Sequence, residues 1–280
     1  MTEQRTPPMT REYLMCPPQH FAVEYAINPW MDPAVEVDRE LAGKQWELLR
    51  VTLTDLGHTV HVLPARAGLP DMVYAANGAF SVDGTVYGAR FRHPQRRSEA
   101  AAHHRFYLDR GWTYIPASET NEGEGDFAYV PGVAGGVILA GYGFRTDPAA
   151  HAEAQEVLGR PVVSLRLVDP RFYHLDTALA VLDEHRIAYF PGAFSTAAQR
   201  VLAQLFPDAV LADDADALAF GLNLVSDGRH VVLNSAATGL AQRLAAAGYR
   251  PVAVELTELR KGGGSVKCCV AELRPAPPQT

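Results

Sequence analysis

Apolar residues along this chain follow two patterns, short continuous runs and longer stretches with an apolar position every three or four residues. The continuous runs are typical of buried strands, and the periodic stretches are typical of amphipathic helices. Helices are predicted at residues 33–56, 95–109, 147–158, 195–206 and 237–247. Several of them open at a capping residue such as Ser195 and close at a glycine such as Gly159, which supports their assignment.

Four pairs of apolar runs lie between the helices, and a short polar turn joins the two runs of each pair. The predicted strand pairs are 72–80 with 85–90, 127–130 with 136–140, 175–182 with 186–190, and 222–225 with 230–233. Asp83-Gly84 and Asp227-Gly228 favour tight hairpins. An opening segment at 21–28 and a closing strand at 268–273 supply a fifth unit. The recurring unit predicts an α/β propeller of five units around a central site.

Composition limits the cellular setting and the partners. The chain of 280 residues has no Ser-, Gly- or Pro-rich linker, so one domain over 1–280 is predicted, with disordered tails at about 1–11 and 275–280. Neither a signal segment nor a run of about 18 apolar residues is present, which favours a cytoplasmic protein without a membrane partner. A net charge of −7 argues against a nucleic-acid partner and is compatible with a small cationic substrate.

The C-terminal run from Lys261 to Val270 contains three consecutive glycines followed by two cysteines. Glycines give up backbone stability for freedom, so we expect another group to approach the chain there. Cys268 lies just beyond this loop, where a thiolate could meet a ligand, although a free cysteine is more often a small buried apolar residue. Strand alternation sends Cys268 and Cys269 to opposite faces, so we expect Cys269 in the core. With Cys16, they form no disulfide framework, which favours a reducing compartment.

His174 and Asp176 begin an apolar run, and a strand would place both side chains on one face. A histidine beside a carboxylate can handle protons, although most of the ten histidines are expected to be ordinary surface or core residues. No spacing of histidines and cysteines matches a metal site. We therefore expect neither a metal nor a cofactor.

An acidic stretch from Asn121 to Asp126 precedes another predicted strand. Glu122, Glu124 and Asp126 would share one face of an extended chain, and such a cluster requires a neutralising cation. A guanidinium held by paired hydrogen bonds, a metal ion, or simple solvation of a loop would each meet this need. Asn28 and Asn77 stand at further predicted strand ends, where either alone would be taken for a turn residue.

Together these motifs resemble the guanidino-group modifying superfamily, which includes dimethylarginine dimethylaminohydrolases, arginine deiminases, arginine dihydrolases and amidinotransferases. The glycine run before Cys268, the stretch beginning at His174 and the acidic stretch at Glu122 occur in the family's order of acid, histidine and cysteine. The opening residues 15–31 look like the dimethylaminohydrolase and dihydrolase branch. The resemblance implies a five-bladed α/β propeller of the pentein type, built from ββαβ units around the active site.

The resemblance also implies roles for individual residues. Cys268 would be the nucleophile, His174 the general acid/base, and Asp176 a residue that orients it. The acidic motif would anchor the guanidinium, with Glu122 preferred, Glu124 not excluded and Asp126 as its last acid. The substrate-binding residues expected in addition are Asn28, Asn77 and, for the substrate α-carboxylate, an arginine such as Arg96, with Arg92 and Arg97 as alternatives.

The expected reaction is attack of Cys268 on the guanidinium carbon and hydrolysis of the resulting thiouronium. Methylated arginine would give citrulline and a methylamine. Alternatives are an arginine dihydrolase that gives ornithine, ammonia and carbon dioxide, which Asn28 and Asn77 favour, an amidinotransferase, and a non-catalytic arginine-binding protein. The partner expected in each case is a small arginine-like cation, and a homodimer is compatible with the sequence.

Overall fold

The computed structural model describes residues 8–276, which form five three-stranded sheets with helices between their strands. The strands in chain order are β1 (Glu12–Met15), β2 (Thr59–Val62), β3 (Ala79–Val82), β4 (Thr85–Gly88), β5 (Thr113–Ile115), β6 (Phe127–Val130), β7 (Val137–Tyr142), β8 (Val162–Arg166), β9 (Leu179–Val181), β10 (Ile187–Tyr189), β11 (Val210–Leu211), β12 (Val225–Ser226), β13 (His230–Asn234), β14 (Arg250–Val254) and β15 (Ala271–Leu273). The described α-helices are α1 (Arg39–Asp55), α2 (Ala100–Leu108), α3 (Pro148–Leu158), α4 (Thr196–Leu205), α5 (Asp214–Leu218), α6 (Thr238–Ala246) and α7 (Thr257–Arg260).

The five sheets repeat one pattern of pairing. In four of them, β3-β4-β5, β6-β7-β8, β9-β10-β11 and β12-β13-β14, the first two strands form an antiparallel hairpin. The third strand then pairs parallel to the second. A parallel connection requires a crossover, and one of the helices supplies it. The predicted repeat of hairpin and helix is therefore present in each of these units.

The fifth sheet joins the two ends of the described chain. Its central strand β1 pairs antiparallel with β15 and parallel with β2. The prediction that residues 21–28 open this unit was wrong, because β1 begins at Glu12 and residues 21–28 have no regular secondary structure. Pro17 and Pro18 follow β1, and since proline lacks an N–H group, they end the strand.

Disordered tails were predicted at about residues 1–11 and 275–280. Of these, residues 1–7 and 277–280 lie outside the described residues. Residues 8–11, by contrast, are tied to the fold. The backbone N–H of Met9 donates to Asp227 at 3.0 Å, and Arg11 forms an ion pair with Glu272. The expectation of a disordered tail reaching Arg11 was therefore wrong.

The helices α1, α2, α3, α4 and α6, which connect the second and third strands of the units or lead into β2, are called the outer helices. They agree with the apolar periodicity, except that α1 and α2 begin later than predicted. Helix α1 begins at Arg39 rather than at residue 33, because the Asp38 side chain accepts a hydrogen bond from Leu41 N at 2.9 Å and caps it there. Helix α4 begins where predicted, with Ser195 as its cap. Leu49 and Leu202 are fully buried on the inner faces of these two helices. Within residues 8–276, no helix is long and apolar enough to span a bilayer.

Short helical turns replace the first part of two predicted strands. Residues Pro70–Val73, Ala75–Gly78 and Leu175–Thr177 form such turns, and strands begin only at Ala79 and Leu179. Residues 266–269 also form a turn, so the closing strand starts at Ala271 rather than at residue 268. The composition of an apolar run does not show whether the run forms a strand or a buried turn. We call these segments, together with Gly123–Gly125 and residues 219–223, the inner turns.

Candidate active site

The inner turns bind one another, because each lies immediately before the first strand of its unit. At least one hydrogen bond links each turn to the next: Ala76 N to Cys268 O (3.1 Å), Asn77 Nδ2 to Glu122 O (3.4 Å), Leu175 N to Asp126 Oδ1 (3.1 Å), Asn223 Nδ2 to Asp176 O (3.1 Å) and Lys267 N to Asn223 O (3.1 Å). These contacts bring candidate residues from five parts of the chain into one buried region.

Glu122 and His174 form the first part of the site. The Nε2 atom of His174 lies 2.8 Å from Glu122 Oε2, and Asp126 Oδ2 is 4.0 Å from the same nitrogen. Asp126 itself is held by Thr146 Oγ1 at 2.7 Å and by Leu175 N. The Nδ1 atom of His174 is buried and has no hydrogen-bond partner among the described residues. The imidazole is therefore oriented by Glu122 and keeps one nitrogen available.

For Glu122 and His174 alike, burial shifts the pKa in one direction and the contact between the two residues shifts it in the other. Burial would raise the pKa of Glu122, but Arg145 at 2.7 Å and His174 hold that pKa well below its usual range. Burial lowers the pKa of His174 to about 4, although Glu122 opposes this shift. The pKa of Asp126 is raised well above its usual value, first by burial. The geometry thus favours an ionised Glu122 beside a neutral His174.

Cys268 and Asp176 form the second part. The Sγ atom of Cys268 lies 3.2 Å from Asp176 Oδ2, and Asp176 Oδ1 is buried without a hydrogen-bond partner among the described residues. Burial, and then the neighbouring Asp176, raises the pKa of the Cys268 thiol well above its usual value. Burial likewise raises the pKa of Asp176 to about 7. A thiol that donates to a carboxylate is the arrangement these values favour in the free protein.

The expectation that His174 and Asp176 act side by side on one strand face was wrong in its geometry. Both residues lie at a helical turn, so their side chains diverge. His174 binds Glu122, whereas Asp176 binds Cys268. The two parts of the site are therefore joined through the backbone of this single turn.

The glycine run before Cys268 is needed because side chains approach its backbone. Gly263 has a φ of +87°, and a Cβ atom there would lie 2.6 Å from Asn28 Oδ1. The Asn28 Nδ2 atom donates to Gly262 O at 3.1 Å, and the Tyr173 hydroxyl donates to Gly263 O at 2.7 Å. Asn28 therefore positions the loop that carries Cys268. Cys269 is fully buried, in an apolar cluster that also includes Cys268. Because residues 266–269 form a turn, the expected alternation of the two cysteines along a strand is absent.

Asn77 and Arg96 lie at the edge of the site. Asn77 donates to the backbone oxygen of Glu122, and its own oxygen accepts from Arg96 Nη1 at 2.8 Å. Arg96 is 3% exposed and makes two hydrogen bonds, of 2.9 and 2.8 Å, to the carboxylate of Glu99. The guanidinium of Arg96 is therefore occupied by an internal partner in this structure, and its expected role at the substrate carboxylate stays a prediction. The alternatives Arg92 and Arg97 are exposed and bind Asp147 and backbone oxygens.

Glu124 does not join Glu122 in a common acidic face. Its carboxylate pairs with Lys267 and Arg274 and accepts from Glu272 N at 2.8 Å. The reason is the helical turn at Gly123–Gly125, which breaks the alternation of an extended chain. Gly123 has a φ of +54°, and a Cβ atom there would lie 2.6 Å from Ala79 O. Of the two glutamates, only Glu122 faces His174 in this structure.

Two residues of the site were missed by the sequence analysis. Arg145 is 2% exposed. Its guanidinium forms an ion pair with the Glu122 carboxylate and lies 4.7 Å from the centre of the Tyr173 ring. It follows the second strand of its unit, just as Arg92 and Arg96 do, and this equivalence could have identified it. Asn223 binds Cys268 through its side chain. It lies two residues before the first strand of its unit, as Asn77 does.

The described residues contain no group of three or more histidine, cysteine or acidic side chains arranged to hold a metal ion. The site instead combines a buried thiol, a neutral imidazole and the ionised carboxylate of Glu122. Such a set can bind a cation, attack an electrophilic carbon and transfer a proton.

Comparison with known proteins places this chain in a family. The family model described as "N,N dimethylarginine dimethylhydrolase, eukaryotic" matches residues 17–275. The N(G),N(G)-dimethylarginine dimethylaminohydrolase of Mycobacterium tuberculosis is 56% identical over 271 residues, which are 97% of this chain and 88% of that protein.

A second group of relatives consists of arginine dihydrolases. The bifunctional arginine dihydrolase/ornithine cyclodeaminase ArgZ of Synechocystis is 35% identical over 91% of this chain, which spans only 36% of that longer protein. The crystal structure of the N-terminal domain of ArgZ, with a cysteine replaced by serine and substrate bound, superposes with a TM-score of 0.91. It is 32% identical, and the match covers 95% of this chain and 98% of that domain. The α/β architecture of five small sheets agrees with the prediction. On the family model and the mycobacterial relative together, the chain belongs to the dimethylarginine dimethylaminohydrolase family, which confirms the resemblance carried by its motifs.

Proposed function

We propose that this protein hydrolyses Nω-methylated arginine to citrulline and a methylamine, through a covalent intermediate on Cys268. The observation that carries the proposal is the buried Cys268 thiol, placed against Asp176 at 3.2 Å and one short turn away from the Glu122–His174 pair. A binding protein would need the acids but not the nucleophile. Membership in the dimethylaminohydrolase family supports the same substrate class.

Glu122 is the proposed anchor for the substrate guanidinium. Its carboxylate already accepts a guanidinium in this structure, that of Arg145, with Nη1 at 2.7 Å from Oε2. A planar guanidinium matches a carboxylate by paired, charge-assisted hydrogen bonds. Asp126 and Asp176 add carboxyl oxygens that can accept hydrogen bonds from the cation. Asn77 and Asn28 line the same region through the turn and the loop that they position.

The catalytic cycle follows from the protonation states of the free protein. The substrate cation favours the thiolate, because positive charge near Sγ lowers the cost of removing its proton. We assign uptake of that proton to the neutral His174. Sγ then bonds to the guanidinium carbon, the methylated amine leaves with the proton from His174, and a thiouronium remains on Cys268. Neutral His174 next takes a proton from water, which attacks the same carbon. The C–S bond then breaks, and the new hydroxyl loses its proton to the free amine as citrulline forms. His174 returns its proton to the Cys268 thiolate, which restores the thiol and the neutral imidazole.

A second candidate is arginine dihydrolase activity. Asn28 and Asn77 are the observations that favour it, since both lie at the site and neutral amides can hold an uncharged ureido group as well as a guanidinium. The 35% identity to ArgZ supports this candidate too. Citrulline would then be attacked again, and the products would be ornithine, ammonia and carbon dioxide.

We also propose that the five units close into a propeller within one catalytic domain. The hydrogen bonds between successive inner turns support closure, because the bond from Lys267 to Asn223 and the bond from Ala76 to Cys268 connect the last unit back to the first. Three free cysteines, one of them the proposed nucleophile, favour a reducing compartment such as the cytoplasm. A homodimer stays a prediction, which light scattering of the purified protein would test.

The direct test is to incubate the purified protein separately with asymmetric dimethylarginine, monomethylarginine and arginine. Citrulline, ornithine, ammonia and the methylamines are measured in each reaction. We expect citrulline and dimethylamine in equal amounts from dimethylarginine, and none with the Cys268→Ser variant. Ornithine and two equivalents of ammonia from arginine would favour the dihydrolase instead. No turnover of any of the three would overturn both proposals.

A further inference from the structure

Asn223 is a fully buried asparagine whose four hydrogen-bonding positions are all used. Its Oδ1 atom accepts from Ser265 N and from Cys268 N, both at 3.0 Å. Its Nδ2 atom donates to the Cys268 sulfur and to the Asp176 backbone oxygen, both at 3.1 Å. An asparagine side chain has two acceptor sites and two donor hydrogens, so the whole group is committed to the surroundings of Cys268.

The orientation of this amide is determined by its partners. The two backbone N–H groups of Ser265 and Cys268 can only donate, so they require the oxygen on their side. The carbonyl of Asp176 can only accept, which places the NH2 group on the other side. The sulfur must therefore be the acceptor of the Asn223–Cys268 contact, whether it is a thiol or a thiolate.

A donor directed at sulfur distinguishes the two states of Cys268. A hydrogen bond to a charged acceptor is roughly twice as strong as one between neutral groups. Asn223 thus favours the thiolate, whereas Asp176, on another side of the same sulfur, favours the thiol. The described groups that face Sγ therefore include one carboxylate acceptor and one neutral donor.

On this geometry we propose that Asn223 is a positioning residue of the reaction, which stabilises the Cys268 thiolate by a hydrogen bond and fixes the sulfur by holding the backbone at residues 265 and 268. This inference rests on the proposed role of Cys268 as the nucleophile. Asn223 acts through Cys268, and it is assigned no contact with the substrate.

The test uses Asn223→Asp, which has almost the same shape. An aspartate keeps the oxygen that accepts from Ser265 N and Cys268 N but loses the donor to sulfur. A second variant, Asn223→Ala, removes both functions. The matched control is Asn234→Ala, since Asn234 is also buried and donates to Ser265 Oγ at 3.2 Å in the same loop. Thermal unfolding identifies which variants are folded.

The main measurement is the pH dependence of Cys268 alkylation by iodoacetamide, read at Cys268 by fragment mass spectrometry. We expect Asn223→Asp to raise the apparent pKa of the thiol by about one or more, and to lower kcat at least tenfold with little change in KM. Asn223→Ala should also raise this pKa, and Asn234→Ala should leave the profile as in the wild type. Kinetics of Asn223→Ala keep the test decisive if Asn223→Asp does not fold.

Two results separate this inference from the proposed function. Full activity of Cys268→Ser would overturn the proposed function itself. If Cys268→Ser is inactive while folded Asn223 variants keep the wild-type alkylation profile, the positioning role of Asn223 is overturned and the proposed function stands. An equal shift in Asn234→Ala would also overturn it, because general loosening of the loop would then explain the effect.

Discussion

The outer helices and the inner turns belong to the same repeating units but are stabilised in different ways. Helix α4 buries Leu202 and caps itself with Ser195, so its main contacts come from its own apolar face and its own terminus. The inner turns bury polar and ionisable groups such as Glu122, His174 and Cys268, and each turn depends on hydrogen bonds from the next unit. The helices supply apolar burial, and the turns supply reactive groups that only the assembled fold holds in place.

This difference determines what a substitution should do. Removing an apolar group from a helix leaves a cavity and lowers the free energy of unfolding without touching the reacting atoms. Removing a polar group from an inner turn either stops the chemistry or leaves a buried charge without a partner. Substitutions in the two regions should therefore separate activity from stability.

The largest effect is expected at Cys268. Cys268→Ser should lower turnover by a factor of about 1,000 or more, because a serine hydroxyl is far harder to ionise than a thiol at this site. Cys269→Ser should keep most of the activity, since Cys269 bonds to Ser265 and Val266 through its backbone N, whereas the Cys268 sulfur contacts Asp176 and Asn223. Citrulline release by both variants at matched concentration is the measurement. Equal losses of activity would mean that both cysteines take part in the reaction. They would contradict the assignment of Cys268 alone to the site.

The same contrast explains how far the sequence could predict the structure. Helix α3 was predicted to within a residue, because its apolar period and its closing Gly159 are local signals. The helical turns at Ala75–Gly78 and Leu175–Thr177 were predicted as strands, because their burial comes from other units that local composition does not report. The motifs identified Cys268, His174 and Glu122, but not the partners that each would have.

Glu124 and Arg96 illustrate which contacts could not be predicted from the sequence. Both residue types fit a site for an arginine-like cation with a carboxylate, and both were assigned to it. The structure pairs Glu124 with Lys267 and Arg274, and Arg96 with Glu99. Which carboxylate meets which cation depends on distances between units, so spacing along the chain does not determine it. Asn223 was missed for the same reason.

A large loss of stability is expected for Arg96→Ala. It would leave Glu99, which is 1% exposed, without its cation, and burial already raises the pKa of that carboxyl to about 7. Breaking a buried pair by removing one partner typically costs about 3–5 kcal/mol. Urea unfolding measures the loss, and exposed Arg97→Ala is the matched control, with about 0.5 kcal/mol or less expected. A raised KM with undiminished stability would instead show that Arg96 binds the substrate.

An outer-helix substitution should give the opposite pattern. Leu202→Ala removes a fully buried side chain from α4 and should lower the free energy of unfolding by about 2–5 kcal/mol. The folded variant should keep the wild-type kcat and KM, because Leu202 packs in a core cluster separate from the one that contains Cys268. Its neighbour Val201 is 36% exposed, so Val201→Ala is the control with a small expected effect. A lower kcat in folded Leu202→Ala would break the separation between helices and turns.

The smallest expected effect concerns the pH dependence of stability. Burial lowers the pKa of His174 to about 4, from an ordinary value of 6.5, so the unfolded chain binds a proton that the folded protein excludes. This lowers stability as the pH falls from about 6.5 to 4. Burial raises the pKa of Asp176 to about 7, from 3.8, so the folded protein keeps a proton that the unfolded chain loses. This lowers stability as the pH rises from about 4 to 7.

The two residues therefore compensate each other between about pH 4 and 6.5, and single variants should reveal it. Relative to the wild type, His174→Asn should make stability fall more steeply with rising pH, and Asp176→Asn should make it rise more steeply. Each slope should change by at most about 1.4 kcal/mol per pH unit, which corresponds to one proton. Urea unfolding at half-unit pH steps gives the slopes. Plots of stability against pH that run parallel to that of the wild type would mean that neither group has its shifted pKa in the folded protein. Ionisation would then cost no more in the inner turns than at the protein surface.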